Sequence, residues 1–160
     1  MVRSISLLRG ARCGAAIALT LAGATGAGAA PVDLPTFYRH ASDCVAVLKL
    51  RADTLASPYR GGDAPMKAEL TTLTEAGFAF VGTAYKAGLR KAEADRMLAD
   101  AETELQGRPA AEREQLVSTC ALEGRKLLAD SNALEQMLVR QKARSRVEKI
   151  LARAVAAAPR

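Results

Sequence analysis

The chain holds one histidine and three cysteines. His40 stands four residues before Cys44 in the stretch RHASDC, so on a helix the two side chains share a face. An imidazole beside a thiol can generate a nucleophilic thiolate, and with Cys120 as a third donor the same residues could hold a metal ion. Both chemistries require free sulfur. A cystine sulfur is neither a nucleophile of that kind nor a zinc ligand, so the fate of Cys44 and Cys120 decides what His40 can do.

The front of the chain bears on that fate. Residues 1–29 read as a secretory signal: Arg3, Arg9 and Arg12 come with no acidic residue, GAAIALTLAGA (14–24) is apolar, and AGA (27–29) supplies small residues for cleavage. Pro31 disfavours a cut directly before it, which places cleavage after Ala29. The apolar span is mostly Ala and Gly, a weak composition for a membrane-spanning helix. Removing it discards Cys13, leaves an even pair, and puts that pair in an oxidising compartment, periplasmic or extracellular.

Cys44 and Cys120 both fall on apolar stripes with helical spacing. The first stripe is Leu34, Phe37, Ala41, Cys44/Val45, Leu48, Ala52 and Leu55. The second is Leu116/Val117, Cys120, Gly124 and Leu127/Leu128. Two such stripes facing one core bring the thiols together, so a Cys44–Cys120 disulfide is expected. The cysteines are 76 positions apart. Closing a loop of that size stabilises by at most about 4.5 kcal/mol in the chain-entropy model.

The elements that position these residues are all helices. Helix one is expected over 34–56, with Asp33 as cap and Pro35 in the first turn. SPYRGGDAP (57–65) breaks the chain, and helix two starts near Pro65 behind Asp63 and stops at Gly88. Its inward stripe is Leu70, Leu73, Gly77, Phe80/Val81 and Ala84. Helix three covers 90–105, with Ala94, Met97/Leu98, Ala101 and Leu105 inward. Its acidic residues Glu93, Asp95, Asp100, Glu102 and Glu104 read as a solvated, salt-bridged face. Pro109 opens helix four, which runs to about Ala129. Asn132 and Glu135 form a capping-box pattern for a fifth segment over 133–156, with Val139, Ala143, Val147, Ile150/Leu151 and Ala154 as its stripe. Gly77, Gly82 and Gly124 are expected to allow close helix approach. The fold class is therefore all-α: a small antiparallel bundle of four to five helices tied by one disulfide.

Charge divides the chain. Residues 30–160 carry a net charge of +3, of which 140–160 contribute +6 and 30–139 contribute −3. This suggests a leader at 1–29, a bundle over 30–139 and a basic amphipathic helix or tail over 140–160. On that reading, removing 140–160 leaves the body folded.

Other chemistry finds little support. Covalent haem attachment needs Cys-x-x-Cys-His, which the sequence lacks. Non-covalent ligation by His40 with Met66, Met97 or Met137 is the remaining haem option. One histidine cannot build a carboxylate di-metal centre of the Glu-x-x-His kind. His40, Ser42 and Asp43 point in different directions on one helix, so they do not form a triad. YRGGDAP lacks the Lys-Ser/Thr of a phosphate loop. No catalytic residue, metal or cofactor is assigned. The expected function is a non-enzymatic exported protein that binds a protein partner or the envelope surface through Arg140, Lys142, Arg144, Arg146, Lys149 and Arg153. The partner would be an acidic protein or an anionic membrane, although the segment has no Trp or Phe to anchor in a bilayer. Nucleic acid is not expected, since no aromatic interleaves the charges for base stacking. The alternative is a carrier of a small apolar ligand or non-covalent haem, held between helices one and two near His40, Phe78 and Tyr85.

Overall fold

Residues 33–59 and 63–157 are described by a computed structural model. The leader expected at 1–29 lies outside them. All regular structure among the described residues is helical: α1 (Leu34–Ala56), α2 (Ala64–Lys86), α3 (Lys91–Gly107), α4 (Ala110–Ala129) and α5 (Ala133–Ala156).

The helix ends follow from local chemistry. Asp63 accepts a hydrogen bond from the Met66 N–H and caps α2. Asn132 accepts from the Glu135 N–H while the Glu135 carboxylate accepts from the Asn132 N–H, so the capping box at α5 is complete. At the end of α2, Gly88 takes φ +108°, a conformation that a side chain would strain. The Leu89 N–H then reaches Ala84 O and the Gly88 N–H reaches Tyr85 O, both at 3.0 Å. This is a Schellman turn, and it tucks Leu89 into the core. Asp33 departs from expectation: its side chain caps no backbone N–H and instead accepts from the Thr36 hydroxyl at 2.5 Å.

Short connections reverse the chain at each step. The Tyr38 hydroxyl donates to Ala87 O at 2.7 Å, which fixes the start of α1 against the end of α2. Lys49 pairs with Glu102 on α3, which runs alongside α1 in the same direction. α4 runs back along α1, with Arg51 opposite Glu114 at one end and His40 opposite Glu123 at the other. α5 is antiparallel to α2: Lys86 pairs with Glu135, while Leu70 meets Val147, Ile150 and Leu151.

α1 touches each of the other four helices, and this widens its buried surface beyond a single stripe. Ala46 and Val47 are buried as well as Ala41, Cys44 and Leu48, whereas Leu34 at the end of the expected stripe is 41% exposed. The main core gathers Ala41, Cys44, Val47, Leu48, Leu73, Ala76, Phe80, Leu105 and Cys120. A second cluster joins Ala52, Ala56 and Leu70 to Val147, Ile150 and Leu151.

That second cluster corrects the idea of a detachable tail. No helix break falls between 139 and 140, and Ala143, Val147, Ile150 and Leu151 are buried. Deleting 140–160 would strip the partners from Leu70, Ala52 and Ala56, so the body would not survive it intact.

The glycines also separate. A Cβ on Gly124 would lie 2.7 Å from Ala76 Cβ and 2.8 Å from both Ala76 Cα and Ala76 O. α2 and α4 therefore cross in contact at this point, and no flexible side chain can yield. Gly77 and Gly82 have nothing within 4 Å, contrary to expectation. Gly124→Ala should lower stability by about 1–3 kcal/mol through overpacking. Gly82→Ala should raise it by about 0.5–1 kcal/mol through helix propensity. Urea unfolding of both variants checks the contrast, and a gain at both positions would contradict the close crossing.

Candidate functional site

The residues with chemical potential converge where α1 faces α4. Cys44 and Cys120 are bonded, with S–S 2.06 Å and Cα–Cα 5.2 Å, and both residues are fully buried. His40 lies one helical turn before Cys44, and its Nε2 is 3.8 Å from Cys44 Sγ. Glu123 lies three residues after Cys120 on the facing helix. Its Oε2 is 2.6 Å from His40 Nε2. The His40 ring also meets the buried Phe80 ring edge-on, with centroids 6.0 Å apart and planes at 82°.

The antiparallel run of α1 and α4 dictates this grouping. A bond between 44 and 120 places residues before 44 opposite residues after 120. Helical periodicity then selects 40 and 123, each on the same face as its cysteine. Sequence reading found His40, Cys44 and Cys120 but missed Glu123. The Cys120-x-x-Glu123 spacing, read against the antiparallel pairing, would have found it.

With the sulfurs bonded, Cys44 offers neither thiolate nor lone thiol. What remains is an imidazole–carboxylate pair at the rim of a buried cystine. The expected Met partners for a haem lie elsewhere: Met97 packs on the main core, Met66 on the second cluster, and Met137 is exposed on α5. The cleft bounded by Ala41, Phe80, Tyr85 and Leu98 measures about 80 Å³. Ligand sites are generally about 300–1,000 Å³.

Asp43, half-buried beside the site, has its carboxyl raised above the usual 3.8. Burial is the main cause, opposed by the Arg108 guanidinium and reinforced by Glu104, with smaller opposing effects from His40 and Arg39. The acidic face of α3 is salt-bridged: Lys91 pairs with Asp95, Lys49 with Glu102 and Arg108 with Glu104.

The second feature is the outward side of α5. At 100° per residue, Leu134, Met137, Leu138, Gln141, Ser145, Glu148, Ala152 and Val155 fall on one exposed face, so that face is mixed and carries one carboxylate. Leu134 is 61% exposed and Met137 55%. Arg140 and Arg144 flank this face on one side, and Lys142, Lys149 and Arg153 on the other. All five are exposed, while Arg146 is half-buried. Among the described residues the cationic partners of the ion pairs are His40, Lys49, Arg51, Lys86, Lys91 and Arg108. The α5 cations enter none of them, and Arg140 bonds only to Gln136 on its own helix.

No protein-family model, curated protein or solved structure matches this chain. No helix among the described residues is long and apolar enough to cross a membrane.

Two outcomes are expected. Replacing both cysteines, Cys44→Ala with Cys120→Ala, should cost about 2–5 kcal/mol in denaturant unfolding. Asp43→Asn should raise stability at about pH 7 and leave it unchanged at about pH 3. The sign follows from the raised native value. Between 3.8 and that value the folded state holds more protons than the unfolded chain, so wild-type stability falls as pH rises through the window. A variant that tracks the wild type at every pH would contradict it.

Proposed function

We propose that this protein is a non-enzymatic exported helical module that binds an acidic protein partner or an anionic envelope surface through the outward side of α5. The observation that carries this reading is the set of exposed cations Arg140, Lys142, Arg144, Lys149 and Arg153, none of which is used in an ion pair among the described residues. Charges that serve the fold are paired with acids, as Lys49 and Arg51 are with Glu102 and Glu114. Charges left facing water on both sides of a mixed strip, whose one acid is Glu148, suit a surface of opposite sign. Export is supported by the leader pattern of residues 1–29 and by the cystine, which persists in an oxidising compartment.

α5 would then serve two ends at once. Its inner side holds α2, so the binding residues sit on a rigid element. Arg146 joins the basic set from a half-buried position and would act more through packing than through contact. Electrostatic attraction brings a partner in, and the exposed Leu134, Met137 and Leu138 at the start of the strip add apolar contact area once it docks.

The test uses substitutions at exposed positions, since deletion removes core. Changing Arg140, Lys142, Arg144, Lys149 and Arg153 to Gln should leave the helical circular dichroism unchanged. It should also abolish retention on envelope extract or anionic vesicles. Wild-type binding should weaken steeply with salt, because the Debye length shrinks to about 3 Å at 1 M. Retention that persists in the variant, or ignores salt, would contradict the proposal.

A further inference from the structure

We propose that the reduced form of this protein binds one zinc ion through His40, Cys44, Cys120 and Glu123, so that metal and disulfide are alternative closures of the same α1–α4 junction. His40 Nε2, Cys44 Sγ and Glu123 Oε2 all lie within 4.8 Å of one another. Cys120 Sγ is bonded to Cys44 Sγ and therefore shares the same place. Four donors meet: two sulfurs, one imidazole nitrogen and one carboxylate oxygen. This is a complement for a borderline-soft, four-coordinate ion, and zinc fits it better than calcium or magnesium, which take oxygen.

The spacing supplies the geometry. His40 and Cys44 are four apart on α1, and Cys120 and Glu123 are three apart on α4, so each helix presents two donors from one face. Tetrahedral zinc at about 2.0–2.3 Å from its ligands sets the donors roughly 3.3–3.8 Å from each other. His40 Nε2 and Cys44 Sγ stand at 3.8 Å already. Cleaving the S–S bond frees the two sulfurs to part to that spacing. The ion then takes the place of the 2.6 Å hydrogen bond between His40 and Glu123. The sulfurs are buried, whereas the His40 and Glu123 side chains are 42% and 44% exposed, so the ion enters from their side.

The redox step balances. A dithiol gives up two electrons and two protons and becomes a disulfide, and the cystine becomes two thiols. Zinc displaces both thiol protons to solvent, and the two thiolates with the Glu123 carboxylate and neutral His40 complete the shell. In the oxidised protein only His40 and Glu123 are left to bind. Thiolates held by zinc are also withdrawn from oxidation, so the bound ion delays disulfide formation.

The experiment uses the full chain reduced with a phosphine, which is oxidised to its oxide and does not compete for the metal. Cobalt(II) is the spectroscopic probe and zinc the competitor. The reduced wild type should take up one cobalt per chain with the visible bands of a tetrahedral site and thiolate charge transfer in the near ultraviolet. Zinc should displace it, and bound zinc should raise the melting temperature and slow reoxidation. His40→Ala and Glu123→Gln should each weaken binding by about 100-fold or more, beyond the effect of losing an outer-shell partner. The oxidised protein should show no thiolate band. If the reduced chain unfolds without metal, zinc should restore its helical signal. No stoichiometric uptake by the reduced chain would overturn the proposal. So would uptake that is equally tight in both variants, since that would mean the thiols bind without the folded site.

Discussion

Cys44 and Cys120 are joined at the middle of the α1–α4 contact, between the His40–Glu123 and Arg51–Glu114 pairs. The core around them mixes Ala41, Ala46, Ala76, Ala84 and Ala101 with Val47, Leu48, Leu73, Phe80, Leu89 and Leu105. Burial of these side chains stabilises the folded state at about 25 cal/mol per Å² of apolar surface. The covalent link acts on the other side of the balance by limiting the unfolded chain. It also sets the register of α1 on α4, from which the His40–Glu123 pair and the Arg51–Glu114 pair follow. The close crossing of Gly124 on Ala76 then draws α2 into the same junction.

α5 depends on that frame without touching the cystine. It leans on α2 and the end of α1 through Val147, Ile150 and Leu151, and its capping box and the Lys86–Glu135 pair fix where it begins. Glu135 is held below the usual 4.5, chiefly by its hydrogen bond to Lys86, so this anchor is present at neutral pH and is lost as pH falls through the native value. The helix is apolar inside, mixed outside and basic along both flanks. Five of its exposed cations enter no ion pair among the described residues, while four of its apolar residues are buried. Both features in one element explain why composition alone separated 140–160 from the body while packing does not.

Much of the fold was legible in the sequence because its signals are local. Asp63, Asn132 with Glu135, and Gly88 mark helix ends through hydrogen bonds made within a few residues. Cys44 and Cys120 were legible as a pair because each sits on an apolar stripe of a helix that faces the core. What escaped was whatever depends on which helix lies beside which. Gly77 and Gly82 look like Gly124 in sequence, but only Gly124 faces a crossing backbone. Glu123 is one acidic residue among seventeen until the antiparallel register of α1 and α4 sets it opposite His40. Ala46 and Val47 lie off the expected stripe of α1, yet they are buried because α1 has neighbours on several sides.

The disulfide is the point on which the account turns, and non-reducing peptide mapping of the protein isolated from the cells that make it tests it most directly. The expected result is a linked pair of peptides carrying Cys44 and Cys120, in a chain whose first residue is Ala30. Two alkylatable thiols at those positions, in a chain still beginning at Met1, would contradict it.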